Sequence, residues 1–511
     1  MRRGVKDVNN RGSGLLIPIF CLPSRFGIGD LGLEAYRFAD LLSKNNQHYW
    51  QILPLNPTEI KHGNSPYHSC SAFAGNFILI SPELLYRDGL LKKNELDEYL
   101  LPEKAIIDFA RVYPLKHSLL EKVCAVFLEL ERWQEEYEDF CQKHSFWLDD
   151  YVLFEVLREQ YSDILWNKWP VGLRDRNENS LLEIRKKFCS ELERQKIIQF
   201  LFFRQWEQFT GYCAAKNIKI IGDIPIYVTY QSSDVWAHQE LFKLDKNKSQ
   251  LCQAGVPPDY FSSTGQLWGN PIYKWSAHKK EDFSWWKRRI THNLTMFDLV
   301  RIDHFRGLVS YWEIPTKEKT AVKGSWDSGG GEKFFQMLKD EFPDLPFIAE
   351  DLGVITKDVV GIINQLGIPG MRVLQFAFGK DFPKSIHLPH NHISNCVVFT
   401  GTHDNNTIRG WWKNELKLGQ KRAIKRYTDK EVNISNIHWE LIRLAQSSVA
   451  KLAIIPVQDI LGLESEARIN TPATFCGNWQ WRLTSKQLLK LEEDALPILK
   501  ALSHTYGRIN F

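Results

Sequence analysis

No stretch of the 511 residues reaches the roughly 18–20 consecutive apolar positions that a membrane span needs. Near the N-terminus, basic Arg2 and Arg3 precede an apolar run, Leu15–Phe20. Pro18 and Pro23 interrupt that run and Asp7 stands before it, so the pattern is not a signal peptide. No CxxC pair occurs among the nine cysteines, which are odd in number and scattered from Cys21 to Cys476. That distribution argues against a disulfide framework or a cysteine zinc site and points to free thiols in a reducing, cytoplasmic compartment. A surplus of one charge sign is also missing. Lys and Arg number 65 against 61 Asp and Glu, a formal net charge of +4, which gives no electrostatic reason to expect a nucleic acid or an anionic membrane as partner. Low-complexity tracts and repeats at a fixed period are absent as well.

What remains is a soluble globular composition, 43% hydrophobic and 25% charged, rich in rings: 18 Trp, 17 Tyr and 30 Phe. Most of these rings belong to a large core; others are candidate platforms for the apolar faces of sugars, and composition does not separate the two. Eight short apolar runs end abruptly in polar residues: Leu15–Phe20, Tyr49–Leu55, Ile218–Ile224, Leu299–Phe305, Phe347–Glu350, Met371–Phe376, Cys396–Thr400 and Leu452–Val457. Continuous runs of this kind suit strands buried on both faces. Stretches with helical spacing, such as Leu33–Ser43 and Lys333–Glu341, lie between most of them. The alternation predicts an α/β protein, a (β/α)8 TIM barrel forming one catalytic domain over residues 1–511. Roughly 160 residues separate the second and third runs, far beyond an ordinary connection of about 2–6. The segments Glu83–Leu101, Leu115–Glu138, Trp147–Tyr161 and Leu181–Phe209 read as helices, predicting a large, mainly helical insertion, residues 82–210, between strands 2 and 3.

Three acids stand at the ends of candidate strands: Asp303 in Leu299–Gly307, Glu350 in Phe347–Gly353, and Asp404 in Val397–Asn406. In a (β/α)8 barrel the C-terminal strand ends meet on one face, where active sites form. Glycoside chemistry wants such a set, with one carboxylate attacking the anomeric carbon and a protonated one donating to the leaving oxygen, about 5–5.5 Å apart in retaining enzymes. Arg301 lies two residues before Asp303, on the same strand face, where its guanidinium favours the ionised form. This spacing assigns the nucleophile to Asp303 and the acid to Glu350. The alternatives are structural: a strand-end acid is often a helix cap, Asp351 and Asp223 fit by spacing equally well, and an Arg near an Asp is usually an ion pair. His304 and His403 lack a third ligand at recognisable spacing, so no metal and no cofactor are expected. Pattern alone supports a barrel enzyme acting with carboxylates and does not name its substrate.

The full strings are more specific. Leu22–Gly32, Tyr49–Leu55, Ser65-Pro66-Tyr67, Gly222–Val228, Ser233–Trp236, Ala254–Phe261 and Gly265–Pro271, the three acid-bearing strings, then Glu466–Asn470 and Gly477–Arg482 run in order along nearly the whole chain outside the helical insertion. In this series the chain resembles the 4-α-glucanotransferases (amylomaltases, disproportionating enzymes) of glycoside hydrolase family 77. The resemblance implies retaining transfer of an α-1,4-glucan segment to the 4-hydroxyl of another glucan or glucose through a covalent glycosyl-aspartate on Asp303. Glu350 is then the acid and base, and Asp404 with His403 grips the distorted sugar. The implied substrate-binding residues are Tyr67, which stacks under the reacting glucose; Asp223; Tyr260 and Phe261 at the tip of a closing loop; Trp268 on the acceptor side; and Arg301, His304 and His403. Implied partners are maltooligosaccharides, amylose and glycogen-derived dextrins, for a monomer or weak homo-oligomer.

Three positions depart from the family pattern. Glu59–Asn64 carries no aromatic where the lead-in to Ser65-Pro66-Tyr67 is usually Gly-Tyr-Gly-Asp, Asn406 stands where an acid is common, and Ala473 where Gly is usual. Rival readings are an amylase-type hydrolase, a catalytically silent glucan-binding protein and a metal-dependent sugar isomerase. Amylases usually carry a His shortly after the third-strand Asp, and Asp223–Val228 has none.

Overall fold

The computed structural model describes residues 11–258, 262–474 and 476–509. Eight parallel strands close a barrel in sequential order: β1 (Gly12–Leu16), β2 (Tyr49–Gln51), β3 (Lys219–Ile224), β4 (Leu299–Ile302), β5 (Phe347–Ala349), β6 (Gly370–Val373), β7 (Cys396–Phe399) and β8 (Leu452–Pro456), with β8 pairing back on β1. The apolar runs are continuous because every strand is buried twice, against the barrel interior on one face and against helices on the other. Leu16, Tyr49, Ile221, Leu299, Ile348, Met371, Val373, Val397, Phe399, Leu452 and Ile454 fill the interior, while their neighbours in sequence face the helices. β1 begins earlier than its apolar run because two glycines open it. A side chain at Gly14 would stand 2.1 Å from the Tyr49 carbonyl oxygen, so glycine is what allows β1 to reach β2.

Seven helices lie between β2 and β3, the longest being Gln134–Gln160 and Cys189–Ala215, which pack on each other. Rings of Phe127, Tyr137, Phe140 and Phe200 form part of the seam, with centroids 5.5–5.7 Å apart. Three helices expected as single units are each broken. The segment Glu83–Leu101 is two short helices, Pro82–Arg87 and Lys93–Glu98, parted at Gly89 with φ +74°. Leu115–Glu138 breaks between Leu128 and Gln134, where Trp133 is held under the guanidinium groups of Arg132 and Arg204. Leu181–Phe209 breaks at Phe188, whose φ of −118° leaves the helical range.

A four-stranded antiparallel sheet was not foreseen. Its order is Gln266–Pro271, Cys252–Val256, Ser310–Pro315, Ser325–Ser328, so it joins the excursions that follow β3 and β4 above the barrel's C-terminal end. Its segments are short and range from the largely buried Cys252–Val256 to the wholly exposed Ser325–Ser328, unlike the continuously buried barrel runs. No helix among the described residues is long and apolar enough to cross a membrane.

Candidate active site

The polar centre continues the barrel's inward-facing stripes upward. Side chains two apart on a strand share a face, so Asp223 follows Ile221 on β3, Arg301 and then Asp303 follow Leu299 on β4, and Glu350 follows Ile348 on β5. Register then sets neighbours, with Asp223 opposite Arg301 on the adjacent strand. The buried Arg301 guanidinium bridges two acids, donating from Nη1 to Asp223 Oδ2 at 2.6 Å and from Nη2 to Asp303 Oδ1 at 2.7 Å. Asp303 stays partly open, its side chain 28% exposed, whereas Asp223 is fully buried. Tyr67 donates from its hydroxyl to Asp223 Oδ2 at 2.7 Å, and the same hydroxyl lies 2.9 Å from His403 Nε2. Its ring stacks on His403 with centroids 5.3 Å apart, and Trp479 leans on both.

Among the described residues, Glu350 is held by two backbone N–H groups. Its Oε2 accepts from His304 N–H and its Oε1 from Leu352 N–H, both at 2.8 Å. His304 adopts φ +46°, a conformation uncommon outside glycine, in the turn that brings its N–H to the Glu350 carboxylate. Burial pushes the Glu350 carboxyl up to about 8; the negative charge of Asp303 adds to this, while Arg301 and the Leu352 N–H oppose it. Burial likewise raises Asp223, against the pull of Arg301, and drives His304 down to about 4. The site therefore holds a buried Glu350 carboxyl that keeps its proton at neutral pH, beside a more open Asp303 side chain bonded to the Arg301 guanidinium. Glycoside chemistry calls for a protonated carboxyl set beside a second carboxyl group, an arrangement these two side chains can offer.

Asp404 projects from the loop after β7, its side chain 44% exposed, with Oδ2 3.4 Å from His403 Nε2. Asn470 Nδ2 donates to Asp404 Oδ1 at 2.6 Å, and Arg468 Nη2 donates to the Asp404 carbonyl at 2.7 Å. Trp268, on the outer strand of the antiparallel sheet, meets the His304 ring edge-on at 4.8 Å. Of the expected residues, Tyr67, Asp223, Trp268, Arg301, Asp303, His304, Glu350, His403 and Asp404 thus form one connected set; Tyr260 and Phe261 lie outside the described residues.

Asp351, equal to Glu350 by spacing, turns away: it accepts from Met371 N–H at 2.6 Å and Arg372 Nη1 at 3.1 Å, tying β5 to β6. Neither His304 nor His403 belongs to a potential metal-holding group among the described residues.

A sequence model of the 4-alpha-glucanotransferase family matches residues 17–488. The chain belongs to this family, glycoside hydrolase family 77. Curated 4-alpha-glucanotransferases of Aquifex aeolicus and Thermus thermophilus are 45% and 43% identical to it, over 97% and 94% of this chain and 99% and 96% of theirs. Among solved structures, the amylomaltase of Streptococcus agalactiae in complex with acarbose superposes with a TM-score of 0.94 at 38% identity, covering 98% of this chain and 100% of that one. The barrel enzyme described here is accordingly a 4-alpha-glucanotransferase. Sequence reasoning gave no role to Asn470, Arg468 or Trp479 in this transferase, although all three lie in strings that carried the resemblance. Of its departures from the family, Asn406 faces away from the site, donating to Glu415 Oε1 at 2.8 Å and Ser465 Oγ at 3.1 Å. Ala473 sits at φ +61°, the backbone region that favours glycine.

Proposed function

We propose that the chain moves an α-1,4-glucan segment to the 4-hydroxyl of another glucan or glucose by a retaining double displacement. Asp303 attacks C1 of the donor sugar as the bond from C1 to the departing glucan's oxygen breaks, and Glu350 gives that oxygen its proton. The glycosyl-aspartate is then attacked by the acceptor hydroxyl, whose proton passes to Glu350 as Asp303 leaves. Arg301 holds and aims the nucleophile through its hydrogen bond to Asp303 Oδ1. Asp404 and His403 grip the hydroxyls of the distorted donor sugar, Tyr67 stacks beneath it, and Asp223 binds its hydroxyls. Trp268 and His304 line the acceptor side, with Tyr260 and Phe261 closing over the glucan to exclude water.

The observation that carries this reading is the asymmetry between a buried, proton-keeping Glu350 and an Asp303 bonded to Arg301. That the Streptococcus agalactiae amylomaltase is found in complex with acarbose supports a carbohydrate ligand for this chain. The expected partners are maltooligosaccharides, amylose and glycogen-derived dextrins, acted on in the cytoplasm by a monomer or weak homo-oligomer that binds neither nucleic acid nor membrane. The test is incubation with maltotriose and resolution of the products by size. Glucose with a ladder of longer maltodextrins is the expected outcome. Glucose and maltose alone would make the reaction hydrolysis, and unchanged maltotriose and maltohexaose would leave a silent glucan-binding protein.

A further inference from the structure

Glu59, His62 and His68 stand outside the acid cluster and have no part in the reaction above. They bracket the segment where the sequence departs from its family's usual lead-in to Tyr67. Each can offer one ligand atom, and those atoms all lie within 4.8 Å of one another. His62 Nε2 is 3.5 Å from Glu59 Oε2, and the two imidazole rings lie tilted at 31° with centroids 3.7 Å apart. In a tetrahedral zinc site with bonds of about 2.0–2.2 Å, neighbouring ligand atoms stand roughly 3.3–3.5 Å apart. One pair already has that spacing, and the two rings have to turn apart, to centroids about 5 Å from each other, to aim both nitrogens at one ion.

The chemistry of the three atoms agrees with the geometry. His68 Nδ1 is buried and has no hydrogen-bond partner among the described residues, so in the tautomer that leaves its lone pair free a cation would answer it. Glu59 Oε1 is engaged by Arg158 and Lys61, leaving Oε2 as the ligand atom turned toward His62. The acids Glu59, Glu155 and Asp163 outnumber Arg158 and Lys61 in this network, so a dication is electrostatically tolerated. Two imidazoles and a carboxylate suit a zinc-type ion better than magnesium or calcium, which favour all-oxygen sets.

We propose that Glu59, His62 and His68 bind one divalent transition-metal ion of the zinc class. The ion is separate from the catalytic acids and clips the segment that carries Tyr67. His68 is the next residue after Tyr67, whose hydroxyl donates to Asp223, so the clip would restrain the base of the donor site. It would not be a catalytic cofactor, and chelators should leave basal transfer intact.

The test is zinc titration of the full chain against a chromogenic chelator, with thermal melting in parallel. It uses a background in which the exposed thiols Cys189 and Cys476 are changed to serine, since they could hold zinc themselves. One zinc per chain is expected, with affinity at least about tenfold weaker in His62→Ala and in Glu59→Gln. A zinc-dependent rise in melting temperature should be lost in the same variants. His62→Ala should retain metal-free activity, which shows that it folds. Substituted cobalt should give a visible spectrum without a thiolate charge-transfer band. Stoichiometric binding unchanged by His62→Ala, or no binding at ~100 μM zinc, would overturn the proposal.

Discussion

Raising the pH should switch off donor cleavage while the fold persists, because Glu350 has to carry a proton to act. The group's ordinary value is 4.5, and burial with the charge of Asp303 moves it to about 8. An unshifted carboxyl would be protonated in only about one molecule in 300 at pH 7, whereas one titrating near 8 is about nine-tenths protonated there and about one-tenth at pH 9. The active form is the protonated one, so activity is present below the folded-state value and lost as pH rises through it. For maltotriose, kcat/KM should be level through neutrality and about tenfold lower at pH 9 than at pH 7. An α-maltosyl fluoride donor, whose leaving group needs no proton, should show little of this alkaline fall in its first step. Glu350→Gln should lower kcat with maltotriose by about 10²–10⁴ and yet retain cleavage of the fluoride. A descending limb already complete by pH 6, or the same limb with the fluoride donor, would refute the assignment of the acid.

Arg301→Leu leaves Asp223 and Asp303 without their shared counter-charge, a loss of about 3–5 kcal/mol for a buried pair, read as a lower melting temperature together with at least about 100-fold lower kcat; an unchanged melt would contradict this. Asn470→Ala frees the Asp404 carboxylate from its 2.6 Å anchor. A charged hydrogen bond of about 1.5–3 kcal/mol converts to roughly a 10–100-fold fall in kcat/KM, with the melting temperature nearly constant. Ala473→Gly removes left-handed strain of about 1–2 kcal/mol at the cost of more backbone entropy. Thermal unfolding should show a gain of about 0.5–1 kcal/mol, and destabilisation would show that the alanine side chain is needed.

The barrel was legible because a strand buried on both faces writes itself as an unbroken apolar run. β1 was misplaced by a few residues because its packing against Tyr49 depends on glycines, which leave no hydrophobic signature. Helix breaks at Gly89 and Phe188 were missed because apolar spacing carries on across them. The antiparallel sheet was invisible because its strands are short and share no common burial pattern, although it carries Trp268. In the site, the period of two placed Arg301 beside Asp303, but the link to Asp223 depends on register between strands 78 residues apart in sequence. The support of Asp404 by Asn470 spans 66 residues and obeys no local period, and the burial that raises Glu350 exists only once the barrel closes.

The claim on which the account turns is that Asp303 takes the glycosyl group. The direct measurement is peptide mass spectrometry of Glu350→Gln after incubation with maltotriosyl fluoride, where release of the glycosyl-enzyme lacks its base. A glycosyl adduct on the peptide containing Asp303, absent from the Asp303→Asn double variant, is the predicted result. An adduct on another residue, or products of inverted configuration with no adduct, would contradict it.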